Sequence, residues 1–141
     1  MSKLVLVGDI GGTNSRWALF DGELGPVTVT KTQDARSLDE AANQFLQGRA
    51  VDACCVAVAG PVQKGAATLT NADWVADPRV MSVPTRVLND LEGAAHGVAG
   101  LGTQDIEWSG ASPPTRGRTL VLGVGTGFGG AVLDGNVVRS M

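Results

Sequence analysis

The chain has 141 residues, 43% hydrophobic and 18% charged, which suits one folded domain with a real core and excludes a disordered chain. Its net charge is −3, and its basic residues, including Lys31, Arg36, Arg49, Arg79, Arg86 and Arg116, are too scattered to form the basic stripe of a nucleic-acid binder. No apolar run approaches membrane-spanning length, the start is too short in apolar residues for a signal peptide, and the adjacent Cys54 and Cys55 suit buried thiols in a reducing cytoplasm.

Residues 4–9, LVLVGD, form a continuous apolar run that predicts a strand buried on both faces. The run breaks at Gly11-Gly12, and residues 16–20 read as a second strand ending in the Asp21-Gly22 turn. Alternation over residues 27–31, VTVTK, gives a third. Ser37 opens a helix, Glu40 completes its capping box, and Gly48 closes it; Leu38, Ala41, Ala42, Phe45 and Leu46 fall on one face. Residues 53–59, ACCVAVA, make another buried strand stopped by Gly60-Pro61. A short strand over 66–69 precedes a turn-rich loop that carries Asn71 and Trp74. Residues 85–88 read as a strand running into Asn89-Asp90, with a helix over 91–98. This order predicts a mixed α/β domain up to about residue 110, with Trp17 and Phe20 in its core and Trp108 packed at its edge. Residues 109–117, SGASPPTRG, are the most linker-like stretch. After it come a buried strand over 120–124, a glycine turn over 125–130, a strand over 131–133, the Asp134-Gly135 turn and a last strand over 136–138.

Residues 4–22 and 120–135 share one plan: buried strand, glycine-rich turn, second apolar strand, closing Asp-Gly. Two such hairpins suggest two related lobes facing one another. The expected organisation is a first lobe over 1–110, a linker over 111–118, and the start of a second lobe over 119–141. That second lobe would be represented only by its opening hairpin, which alone is marginal in water.

In the first turn, Gly11 and Gly12 lack the Cβ atoms that would keep a phosphate from backbone N–H groups. Thr13 adds a hydroxyl, and Asp9 brings a carboxylate able to hold Mg²⁺ through water. A plain glycine hairpin with an aspartate in its turn is the blander reading. The second turn matches the dinucleotide pattern G-x-G-x-x-G through Gly125, Gly127 and Gly130. That motif needs a helix to follow, and residues 131–138 contain a hairpin turn instead, so a dinucleotide fold is rejected. Two bare-glycine hairpins fit a clamp that grips phosphates from two sides.

Asn89-Asp90 supports two readings. Asn89 is a strong N-cap, Asp90 suits a first helical turn, and Glu92 completes a capping box. The same position also suits a carboxylate that accepts a proton from a substrate hydroxyl, with Asn89 fixing another hydroxyl. The lone His96, on a small-residue helix, reads as structural.

Five motifs then occur in a fixed order: residues 7–16, VGDIGGTNSR; 57–62, AVAGPV; 69–71, LTN, with Trp74; 88–94, LNDLEGA; and 123–129, GVGTGFG. In this, essentially the whole chain resembles the bacterial glucokinases, in the hexokinase branch of the actin-like ATPase superfamily. The resemblance implies an actin-like (ribonuclease H-like) first lobe with a mixed sheet and flanking helices, plus the opening hairpin of a second lobe. It implies ATP-dependent, Mg²⁺-assisted phosphorylation of a hexose, glucose to glucose 6-phosphate, in the cytoplasm, with a homodimer as the expected full-length form. By the same resemblance Asp9, Gly11, Gly12, Thr13 and Asn14 form a first phosphate loop, and Gly125, Thr126, Gly127 and Gly129 a second. Asp90 would be the catalytic base and Asn89 a sugar contact, with Gly60, Pro61 and Asn71 shaping the pocket. Arg16 would steady the first lobe. The family's later glutamate–histidine sugar motif, a further sugar-binding glutamate and the adenine-binding glycine segment have no counterpart here. The alternatives are a kinase of another sugar in the kinase–repressor branch, or a noncatalytic module that holds a sugar or partner.

Overall fold

In the computed structural model, which describes residues 2–111, 117–124 and 128–141, the apolar runs become strands. β1 (Val5–Ile10) lies at the centre of the main sheet. It pairs antiparallel with β2 (Asn14–Phe20), which pairs antiparallel with β3 (Thr28–Lys31). On its other side β1 pairs parallel with β4 (Ala53–Val58), and β4 pairs parallel with β8 (Thr85–Asn89). The result is a mixed sheet of order β3-β2-β1-β4-β8, within the mixed α/β domain that the element order predicts.

Helix α1 (Leu38–Leu46) begins where Ser37 Oγ accepts the Glu40 amide at 3.4 Å. The Glu40 carboxylate accepts from the Arg36 amide at 2.9 Å, one residue earlier than the expected capping box. The predicted face Leu38, Ala41, Ala42, Phe45 and Leu46 is buried, and joins Leu6, Ile10, Trp17, Val56 and Val58 in one core. Trp17 is fully buried, but Phe20 is 41% exposed, against expectation. Side chains alternate across a strand, so Trp17 and Phe20 point to opposite faces, and only the Trp17 face meets the core. The same alternation divides the cysteines: Cys54 is buried and Cys55 half-buried. Burial pushes the Cys54 thiol up to about 12 and raises that of Cys55, so both stay protonated at neutral pH.

A small antiparallel sheet lies between β4 and β8 in the chain: β5 (Val62–Gln63), β6 (Ala66–Thr68) and β7 (Val75–Ala76). Lys64 and Gly65 take φ of 51° and 80°, the left-handed pair that a two-residue hairpin turn requires. Strands of two residues have no periodicity to read, and neither β5 nor β7 is foreseen from sequence.

The chain forms two compact units, Met1–Asp90 and Leu91–Met141. The second contains α2 (Asp90–Val98) from Leu91 onward, and a meander of β9 (Arg118–Val124), β10 (Phe128–Asp134) and β11 (Val137–Ser140). On one face of the meander Ala131 and Leu133 are buried, and Leu91 lies over the paired Gly123 and Gly129. On the other, Leu120, Leu122, Val124 and Phe128 are exposed, Val124 to 82%. Residues 120–124 are therefore not the buried strand that their run predicts, because nothing among the described residues of this unit covers that side. β10 also starts earlier than expected, so Gly129 and Gly130 belong to a strand and not to a turn. Trp108 is exposed and His96 lies in the last turn of α2.

Candidate functional site

Parallel strands bring their carboxyl ends to one edge of a sheet, and ligands of open α/β sheets bind there. In this chain the row Ile10, Val58, Asn89 is in register across β1, β4 and β8. One residue further on, the Ala59 amide donates to the Ile10 carbonyl at 2.9 Å. Asn89 then spans to the neighbouring chain, its side-chain amide donating to the Gly60 carbonyl at 3.0 Å. The glycine turn after β1, Gly60-Pro61 after β4, and Asn89-Asp90 after β8 thus share one edge. Asp90 is the first residue of α2.

Within the glycine turn the Gly11 amide donates to the Asn14 carbonyl at 3.0 Å, and Asn14 Oδ1 accepts from Lys31 Nζ at 3.0 Å. Neither Gly11 nor Gly12 has a positive φ, so the glycines are required for space and not for backbone conformation. A Cβ on Gly12 would lie 2.8 Å from Asn71 Nδ2, and a Cβ on Gly60 would strike the Thr68 carbonyl. Asn71, from the loop between β6 and β7, is in this way brought against the glycine turn.

The turn also fits an anion. Among the described residues the Gly12 and Thr13 amides have no acceptor, and the Thr13 side chain is exposed. Asp9 Oδ2 accepts from Arg16 Nη1 at 3.2 Å, both side chains more than half exposed, so the pair contributes little to stability and leaves Oδ1 for a hydrated cation. No group of three or more His, Cys, Asp or Glu gathers as a metal cage among the described residues. Of the second phosphate loop, Gly129 lies in β10 opposite Gly123, while Gly125, Thr126 and Gly127 lie outside the described residues.

One residue without any motif proves central to this edge. Thr32 is 1% exposed, its hydroxyl donates to the Gly11 carbonyl at 2.8 Å, and its amide donates to the Thr13 carbonyl at 3.0 Å. Its carbonyl accepts from Trp74 Nε1 at 3.2 Å. The only sequence signal is a threonine closing the run VTVTKT, which any exposed strand end could carry.

The family model described as glucokinase matches residues 6–138. A glucokinase of Brucella abortus biovar 1 is 40% identical over 92% of the chain, and one of Caulobacter vibrioides 35% identical over 92%. The chain spans only 41% and 44% of those two relatives. A crystal structure of a glucokinase from an Antarctic psychrotroph superposes with a TM-score of 0.83 at 27% identity, over the whole chain and 50% of that protein. A ROK family glucokinase from Streptomyces griseus, solved in complex with glucose and AMPPNP, shares the fold with a TM-score of 0.66 at 22% identity, over 96% of the chain and 46% of its own. The expected actin-like fold of mixed sheet and flanking helices is the one found.

Proposed function

Because the chain belongs to the glucokinase family, we propose that the whole protein transfers the γ-phosphoryl group of ATP to a hexose, glucose at its primary hydroxyl, as a cytoplasmic supply to glycolysis. In this reading residues 1–110 are the first lobe, 111–118 the linker and 119–141 the start of the second lobe. The observation that carries it is the shared edge at which the Gly11-Gly12 turn, Gly60 and Asn89 meet. The glucose and AMPPNP held by the Streptomyces griseus relative support the choice of hexose and ATP.

Asp90 accepts the proton of the attacking hydroxyl on its carboxylate. Asn89, fixed by its bond to Gly60, orients the sugar, with Gly60, Pro61 and Asn71 along its side. The Gly12 and Thr13 amides donate to phosphate oxygens, with Gly11 and Asn14 shaping the turn. Gly125, Thr126, Gly127 and Gly129 would grip from the second lobe. Asp9 would hold Mg²⁺ through water, and such an ion would supply positive charge beside the transferred group. Most of the catalysis then comes from positioning and electrostatics.

A coupled assay on the full-length protein with ATP, Mg²⁺ and glucose tests the reading. Hexose-dependent ADP release is expected, and its absence across a panel of hexoses overturns the proposal. The isolated 141-residue chain should give almost no turnover.

A further inference from the structure

We propose that Thr32 is a positioning residue for the first glycine turn, and that through Trp74 it ties this turn to the loop that presents Asn71. Carbonyls can only accept, so the bond between the Thr32 hydroxyl and the Gly11 carbonyl uses the hydroxyl's one hydrogen. Ser15, whose Oγ lies 2.8 Å from Thr32 Oγ1, must then be the donor in that pair. Thr32 therefore engages every polar atom it has: hydroxyl to Gly11 and Ser15, amide to Thr13, carbonyl to Trp74. Two of these bonds hold carbonyls on either side of Gly12, the residue whose amide faces outward. The fourth crosses 42 residues of sequence to Trp74, three residues after Asn71. Thr32, Ser15 and Trp74 are all buried, so a lost hydroxyl leaves a polar group without water to replace it.

A turn that must aim two amides at a phosphate is useful only if its carbonyls cannot swing. The Thr32 brace supplies that rigidity from beneath, leaving the Thr13 side of the turn exposed. Its link to phosphate binding rests on the proposed kinase reading; its effect on the turn itself does not.

The test uses the full-length protein with Thr32→Val, Thr32→Ser and Trp74→Phe. Without nucleotide, Thr32→Val should speed hydrogen exchange of the hydrogen-bonded amides of the turn, those of Gly11 and residue 32, roughly tenfold while leaving β4 unchanged. With substrates it should raise the KM for ATP by about tenfold, with kcat and hexose affinity shifted less than about twofold. Thr32→Ser should restore both, and Trp74→Phe should give a smaller change in the same direction. Unchanged exchange at the turn, equal loosening of β4, or a Thr32→Ser variant no better than Thr32→Val would overturn the proposal. Should Thr32→Val fail to fold, comparing Thr32→Ser and Trp74→Phe with the parent decides the same point. Faster exchange at the turn in a protein that binds no ATP would uphold the brace and overturn the kinase reading.

Discussion

The β1–β2 and β9–β10 hairpins follow one sequence plan and meet very different surroundings. The first is the centre of a five-stranded sheet with α1 packed on it, and its Trp17 is fully buried. The second belongs to a three-stranded meander whose Leu120, Leu122, Val124 and Phe128 remain exposed. A pattern of strand, glycine and strand specifies pairing. Burial is decided by whether another layer arrives, and no hairpin carries that information in its own residues.

The largest expected effect belongs to neither hairpin and sets the scale for both. Asp90→Asn in the full-length protein should lower turnover by about 10²–10⁴-fold, the usual worth of a general base, with hexose affinity nearly unchanged. Wild-type turnover in that variant would leave Asp90 with a helix-starting role only. The contrast between hairpins is read most directly by urea unfolding of the 141-residue chain. Trp17→Ala should cost about 3–5 kcal/mol, and Leu122→Thr less than about 0.5 kcal/mol. Equal losses would mean that the two hairpins are equally packed after all.

A smaller effect concerns Gly12. Gly12→Ala forces a Cβ against Asn71 and should cost roughly 1–3 kcal/mol by overpacking. Asn71→Gly, which also removes the Asn71 Cβ that would lie 3.1 Å away, should recover most of that in the same chain, a coupling measurable in a double-mutant cycle. Additive losses would show that Asn71 is not what Gly12 makes room for. The smallest effect distinguishes the two faces of the sheet containing the first hairpin. At pH 8 the buried Cys54 should resist alkylation longer than the half-buried Cys55, and both should react quickly in urea. With its thiol held up to about 12, folded Cys54 keeps a proton that the unfolded chain sheds above roughly pH 8.5. Its contribution to stability is therefore full below that pH and falls as pH rises from there toward 12.

Much of the first unit is legible in the sequence because its periodicities are strong. The apolar face of α1 and the core strands β1, β4 and β8 all follow from spacing. Phe20 is a different case, since period-2 alternation from the buried Trp17 already puts it on the other face. The first four of the five ordered motifs locate the shared sheet edge. What sequence does not disclose is contact between distant segments: Asn71 against Gly12, and Trp74 on Thr32 across 42 residues. The exposed side of β9 is illegible for the reason given by the hairpins, since an apolar run looks the same with or without a covering layer.

Gly12 and Gly60 are both crowded glycines, yet they offer different routes to sequence drift. The neighbour at Gly12 is a side chain, its Cβ included, so a larger residue there can become acceptable once position 71 becomes glycine, and the two positions can change as a pair. The neighbour at Gly60 is the backbone carbonyl of Thr68, which every amino acid carries. No exchange at position 68 makes room for it. In a randomised library, positions 12 and 71 should return as correlated survivors, whereas position 60 should return only glycine.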